Sequence, residues 1–203
     1  MLLDYSGFAT DVHGLGPGRR VVLWVRGCTI GCRNCMTKEL WASGTAEPIH
    51  QLVERVLHPL QTHDGLTISG GEPFEQAVAV AELIALLRRE LPLLHVFCYS
   101  GFTLKSLLLR EDSQGLLNLV NCLMDGPYNG ALPQSKPWRG SDNQNLHVLR
   151  GPPMDANDET TLRHLQIQPV SVDRVRLIGI PKKGDIDKIA VALAERGLML
   201  EGH

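Results

Sequence analysis

The sequence predicts an α/β fold organised around a parallel sheet of about six strands. Two observations lead there. Short runs rich in Val, Ile and Leu alternate along the chain with longer stretches whose apolar residues recur at helical spacing. Glycine or proline then punctuates the passage from one to the next. Repeated alternation of this kind implies βαβ units, because parallel neighbours need a crossover, usually a helix, between them.

The elements follow in order. Val21 to Val25 is a short apolar run ending at Gly27, and reads as the first strand. Pro48 opens a helix whose apolar residues Ile49, Leu52, Val53 and Val56 fall at i, i+3, i+4 and i+7. Leu66 to Ile68 is a second strand that stops at Gly70-Gly71. Pro73 starts a second helix, buried through Val80, Leu83, Ile84 and Leu87, which must end before Pro92. Leu93 to Tyr99 is a third strand, Leu104 to Leu109 a third helix, Leu119 to Met124 a fourth strand and Leu146 to Leu149 a fifth. The polar segment 151–169 reads as a connection. Val175 to Ile180 is then a sixth strand extending the sheet, and Asp185 is the expected N-cap of a last helix that stops at Gly197.

Composition excludes several function classes. The 203 residues carry 20 Lys+Arg against 22 Asp+Glu, a net charge of -2, which argues against a broadly basic nucleic-acid binder. With 43% hydrophobic and 21% charged residues the chain has the balance of one folded domain. No apolar run approaches the ~18 residues of a membrane span, and Met1 to Thr10 lacks the pattern of a signal peptide. A cytoplasmic location and no membrane partner are the expectation.

The five cysteines are an odd number, so they do not all pair internally. Cys98 and Cys122 sit singly in apolar runs, as core thiols do. Cys28, Cys32 and Cys35 fall within eight residues, on a loop that Gly27 and Gly31 allow to curl. Three thiolates this close can share one metal centre. A structural zinc needs a fourth ligand and usually a second cysteine pair, and a deaminase-like zinc needs a His-x-Glu partner; the chain offers neither. An iron–sulfur cluster held by three cysteines leaves one iron open to a small molecule. Spacing alone leaves zinc and cluster both standing.

The cysteine triplet, followed some 35 residues later by Gly70-Gly71-Glu72-Pro73, resembles the radical S-adenosylmethionine (SAM) superfamily. Further stretches resemble its glycyl-radical-enzyme activases, above all those of anaerobic ribonucleotide reductase: Gly16-Pro17-Gly18-Arg19, Cys35 to Trp41, Tyr99 to Thr103, Met124 to Tyr128, and Trp138-Arg139-Gly140-Ser141 with Asn143-Gln144. The similarity covers residues 14–150. It implies a single domain shaped as a partial, open βα barrel, with 151–203 as an added strand–helix unit.

The resemblance also implies roles. Cys28, Cys32 and Cys35 would ligate a [4Fe-4S] cluster. Gly70, Gly71 and Glu72 would bind the methionine end of SAM, with Ser100 and Asp125 lining its pocket and Asn143 close by. Arg139, Ser141 and Gln144 would shape the mouth of the site. Arg19 would pair with a carboxylate or a loop carbonyl, and Trp24, Trp41 and Trp138 would serve packing. The implied reaction is reductive cleavage of SAM to a 5′-deoxyadenosyl radical, fed by flavodoxin or ferredoxin. That radical would take a hydrogen atom from a glycine of a partner such as anaerobic ribonucleotide reductase. Residues 151–203 have no counterpart in the shortest activases and would close more of the barrel's opening. That keeps two alternatives in view: a small-molecule or peptide substrate, as in carboxy-deazaguanine synthases, and, more remotely, a non-catalytic zinc or cluster module.

Overall fold

A strand buried on both faces reads as an unbroken apolar run, and Arg20 to Val25 are buried without exception. That run lies at the centre of the computed structural model, which describes residues 1–152, 165–182 and 184–201. In chain order its elements are β1 (Leu2–Leu3), β2 (Tyr5–Val12), β3 (Arg20–Val25), β4 (Glu47–Pro48), α1 (Ile49–Leu60), β5 (Gly65–Gly70) and α2 (Ala77–Glu90). There follow β6 (Val96–Tyr99), α3 (Leu104–Leu108), α4 (Gln114–Leu117), β7 (Cys122–Asp125) and β8 (Asn145–Val148). The chain closes with β9 (Gln166–Pro169), β10 (Arg174–Ile178), α5 (Asp185–Ala194) and β11 (Met199–Glu201).

The main sheet has six strands in the order β2-β3-β5-β6-β7-β8, and it is mixed. The four central strands are parallel, as expected. Both edges, β2 and β8, run antiparallel to their neighbours. No helix separates β2 from β3 or β7 from β8, so neither connection carries the chain back along the sheet, and the strands pair head to tail. The expectation that Val175 to Ile180 extends this sheet is also corrected. β10 has β9 on one side and β11 on the other, so both its edges are taken by a separate three-stranded sheet.

Alternation along the strands divides the core into two faces. Val21, Leu23, Val25, Leu66 and Ile68 point to one side, where they meet Ile49, Leu52 and Val56 of α1 and Val80, Leu83 and Leu87 of α2. Val22 and Trp24 point to the other side and pack against Leu15, Leu40 and Ile178. Phe97, Met124 and Trp138 continue that second face. Cys98 and Cys122 are buried core thiols. The cavity lies on the second face, opposite α1 and α2, because Trp24 and Tyr99 line it.

Local details depart from the sequence expectation in instructive ways. Pro73 begins a single 3-10 turn, Pro73–Gln76, before α2 starts at Ala77. The last helix is capped by Gly184, in a left-handed conformation at φ +84°, while Asp185 is its first residue and accepts from the Lys182 N–H at 2.9 Å. Of the expected connection 151–169, residues 153–164 lie outside the described residues, and its end forms β9. No helix among the described residues is long and apolar enough to cross a membrane.

One charged group sits at the foot of the sheet. Arg20 is 1% exposed, and its guanidinium donates to the Leu66 carbonyl at 2.5 Å, the His95 carbonyl at 3.2 Å and Thr67 Oγ1 at 3.1 Å. Burial pushes its pKa down to about 10, so it stays charged at neutral pH. Burial, followed by the Arg20 charge, pushes the neighbouring His95 down to about 4 and keeps it neutral. Arg19 instead makes an exposed pair with Asp11 at 2.5 Å, which realises the carboxylate partner expected for it. Replacing Arg20 by Met removes the three hydrogen bonds its guanidinium makes to Leu66, His95 and Thr67, each worth ~1 kcal/mol. Arg20→Met should therefore lower unfolding stability by about 3 kcal/mol in urea titration, whereas Arg19→Ala should cost less than ~1 kcal/mol.

Candidate functional site

The loop after β3 is closed at its stem by two backbone hydrogen bonds, Gly27 N–H to Leu40 at 2.9 Å and Cys28 N–H to Trp41 at 3.1 Å. Within it the chain curls through left-handed positions at Gly27 (φ +81°), Gly31 (φ +63°) and Asn34 (φ +64°). Two of these are glycines and the third is the residue type that tolerates the conformation best after glycine. The outcome is that Cys28, Cys32 and Cys35, all free and half-buried, open onto one cavity. Burial pushes the Cys28 and Cys32 thiols up; the Ile30 and Gly31 N–H groups pull the other way at Cys28, and that of Tyr128 at Cys32.

The end of β5 is built onto this loop. Gly71 N–H donates to the Val25 carbonyl at 2.8 Å and Glu72 N–H to the Gly27 carbonyl at 2.7 Å. A Cβ on Gly70 would lie 2.4 Å from the Val25 oxygen, and one on Gly71 would lie 2.3 Å from the Gly27 oxygen. The glycine pair is thus required first by this backbone contact, and its surface then faces the cavity together with Ser69 and Glu72.

Glu72 is 1% exposed. Its Oε1 accepts from Phe74 N–H at 3.0 Å and from Ser100 Oγ at 2.9 Å, and its Oε2 accepts from Gly101 N–H at 2.7 Å. Burial raises its pKa to about 7 even though all three donors favour the ionised form. Three donors leave one acceptor position of the carboxylate unfilled.

The expected site residues do not all converge. Cys28, Cys32, Cys35, Gly70, Gly71, Glu72 and Ser100 share the cavity. Asp125 ends the adjacent strand but turns behind the wall: it accepts from Leu104 N–H at 2.5 Å, at the start of α3, and lies 3.1 Å from His147 Nε2. Asn143 is exposed and donates to the Pro127 carbonyl at 2.8 Å. Gln144 does line the cavity, with Nε2 on the Gly126 carbonyl and Oε1 accepting from Gly140 N–H. Arg139 Nε donates to the Gln144 carbonyl at 2.7 Å, and Ser141 Oγ accepts from Asn129 N–H, so both brace the loop beside it. Trp24 and Trp41 line the cavity; Trp138 is buried, and its carbonyl accepts from Tyr99 OH.

Sequence reasoning missed Tyr128, Tyr99 and the wall contributed by Leu177, Ile180, Ile186 and Leu200. Tyr99 and Tyr128 fall within the stretches Tyr99 to Thr103 and Met124 to Tyr128 that resemble the activases, without a role assigned to them. For the four wall residues the only signal was their place in the added strand–helix unit.

The cavity measures about 410 Å³. Among the described residues, no three His, Cys, Asp or Glu side chains gather tightly enough for a single ion. A four-iron cluster is larger, and each thiolate takes its own iron, so its ligands stand further apart than those of one ion. Three free thiols opening onto one cavity fit such a cluster with one iron left without a cysteine ligand.

A family model for the 4Fe-4S single cluster domain matches residues 15–147. The chain is similar to anaerobic ribonucleoside-triphosphate reductase-activating proteins. That of Enterobacteria phage T4 is 31% identical over 136 residues, which span 64% of this chain and 85% of the relative. That of Escherichia coli K12 is 30% identical over 143 residues, spanning 66% and 92%. That of Vibrio cholerae is 32% identical over 142 residues, spanning 65% and 89%.

Two predictions follow from this geometry. Gly71→Ala forces β5 away from the cysteine loop and should cost ~2 kcal/mol or more of stability, with iron uptake reduced; Gly7→Ala, whose Cβ meets nothing within 4 Å, should change neither. Glu72 binds its proton more tightly folded than unfolded. Its contribution is therefore full below its ordinary pKa of 4.5 and is lost as pH rises through about 7. Between about pH 5 and pH 8 the urea midpoint of the native chain should fall more steeply than that of Glu72→Gln; parallel profiles would contradict the assignment.

Proposed function

Because the chain belongs to the 4Fe-4S single cluster domain family, and within it to the anaerobic ribonucleoside-triphosphate reductase-activating proteins, we propose that it cleaves SAM reductively and raises a glycyl radical on a partner enzyme. The observation that carries this reading is the shared cavity, onto which the three free thiols and the Gly70–Glu72 strand end open together. The partner is an anaerobic ribonucleoside-triphosphate reductase. A one-electron protein donor, flavodoxin or ferredoxin, supplies the reductant. The open α/β architecture, four parallel strands with their helices on one face, is read as the partial βα barrel of radical SAM enzymes. Residues 14–150 form its core and 151–203 an added unit of the same domain.

Cys28, Cys32 and Cys35 hold the cluster. When bound, the cluster supplies the electron that splits SAM into methionine and a 5′-deoxyadenosyl radical, which takes a hydrogen atom from the partner's glycine and becomes 5′-deoxyadenosine. The chain's own residues orient and shield. Glu72 keeps one acceptor position, which can take an N–H of the methionyl amine. Gly70 and Gly71 bring bare backbone to the cavity surface, so the methionine end can approach closely. Ser100 acts through Glu72, whose Oε1 it holds. Asp125 and Asn143 act from behind the wall, the first by fixing the start of α3 and the second by tying residue 143 to Pro127. Trp24, Trp41 and Tyr99 give the cavity apolar surface that excludes water from the radical.

Anaerobic reconstitution should give a brown protein with about four irons per chain. Cys32→Ala should abolish 5′-deoxyadenosine formation from SAM and dithionite, a loss of at least ~100-fold set by the assay floor. A colourless chain holding one zinc, or cleavage that survives the substitution, would contradict the reading. Cleavage without a glycyl radical signal on the reductase would redirect the substrate to a small molecule or peptide.

A further inference from the structure

The family match ends at residue 147, yet the cavity does not. Leu177 of β10, Ile180 and Pro181 just after it, Ile186 in the first turn of α5 and Leu200 of β11 complete its lining. All five side chains are apolar.

This wall is anchored. Ile178 is fully buried among Val22, Trp24 and Leu40. Gln166 bridges the free edge of β2, accepting from His13 N–H at 2.8 Å and donating to the Asp11 carbonyl at 2.7 Å, while Gln168 donates to the Thr10 carbonyl at 3.0 Å. The unit thus covers the edge of β2, which would otherwise offer unpaired backbone groups to water. Its inner side is left uncovered: Ile180 and Leu200 are only half-buried, and Ile186 is 38% exposed.

We propose that this apolar wall selects the partner's glycine-bearing segment, admitting a narrow stretch whose side chains beside the glycine are uncharged. The inference rests on the activase reading above and names what that reading leaves open, the chemistry of the segment that enters. A glycine Cα can lose its hydrogen atom only if its backbone reaches the cavity, and the wall then lies against its neighbours. A charged neighbour pressed on Leu177, Ile180, Ile186 and Leu200 would shed its hydration against side chains that carry no charge. An uncharged one would cover apolar surface that is now exposed to water.

The test reads the number of glycyl radicals formed per 5′-deoxyadenosine released, using the reconstituted full chain and an anaerobic ribonucleoside-triphosphate reductase as the probe. Ile186 is partly exposed in the first turn of α5, where an aspartate is compatible with the helix dipole. Ile186→Asp should lower the ratio at least about tenfold, and Ile186→Leu should keep it. A reductase carrying Lys beside its glycine should couple poorly with the unsubstituted chain and recover with Ile186→Asp. If radical yield and 5′-deoxyadenosine fall together so that the ratio holds, the wall serves SAM and the inference is overturned; an unchanged ratio with unchanged yield overturns it as well. An unsubstituted chain that releases no 5′-deoxyadenosine overturns the activase reading, and the inference with it.

Discussion

The site depends on one close contact between two backbones. At the ends of β3 and β5 the chains approach so nearly that Glu72 N–H reaches the Gly27 carbonyl at 2.7 Å, with no room for a Cβ at residue 70 or 71. That contact fixes the start of the cysteine loop against the strand that delivers Glu72. It thereby sets the thiols and the carboxylate around a single cavity, although more than thirty residues of chain separate them. The hydrogen bonds of Glu72 to Phe74, Ser100 and Gly101 extend the same constraint to the end of β6. The ends of three neighbouring strands, β3, β5 and β6, are thus tied together through one buried residue, Glu72.

The rest of the fold separates holding from doing. Helices α1 and α2 cover one face of the sheet, where they pack against the strands in the largest buried cluster. The opposite face carries Trp24, Tyr99 and the cavity, and it is closed by irregular segments and the C-terminal strands. Loops can vary there without disturbing the helix-packed core, which is the usual relation between a scaffold and the site it positions. A desolvated carboxylate and an apolar lining are costly features in themselves, and the sheet beneath them supplies the rigidity that keeps them in place.

Much of this was legible in the residues. The parallel strands showed as short apolar runs, and the helices as repeats at i, i+3 and i+4. The cysteine triplet and Gly70-Gly71-Glu72-Pro73 mark one site in the sequence itself. Other features escaped for physical reasons. β2, with Ser6, Thr10 and Asp11 among its residues, has the mixed polarity of an edge strand and so lacked an apolar signature. The direction of β8 is set by the irregular connection before it and not by its four residues. Nothing local marks Arg20 as buried beside Arg19, because the carbonyls that accept its guanidinium come from β5 and from residue 95, distant in sequence. Asp125 stands where a pocket acid was expected, but its carboxylate is taken by α3 and His147. The cavity wall at Ile180, Ile186 and Leu200 is a tertiary fact, and no local pattern marks it.

The central claim is that Cys28, Cys32 and Cys35 would hold a [4Fe-4S] cluster whose iron without a cysteine ligand would take the methionine end of SAM. Electron paramagnetic resonance of the anaerobically reconstituted and reduced chain, with SAM labelled at its amine nitrogen and carboxylate oxygens, tests it most directly. The account predicts a reduced-cluster signal that changes when SAM is added and shows hyperfine coupling to both labels. A reduced-cluster signal that is indifferent to SAM, or coupled to neither label, would contradict it.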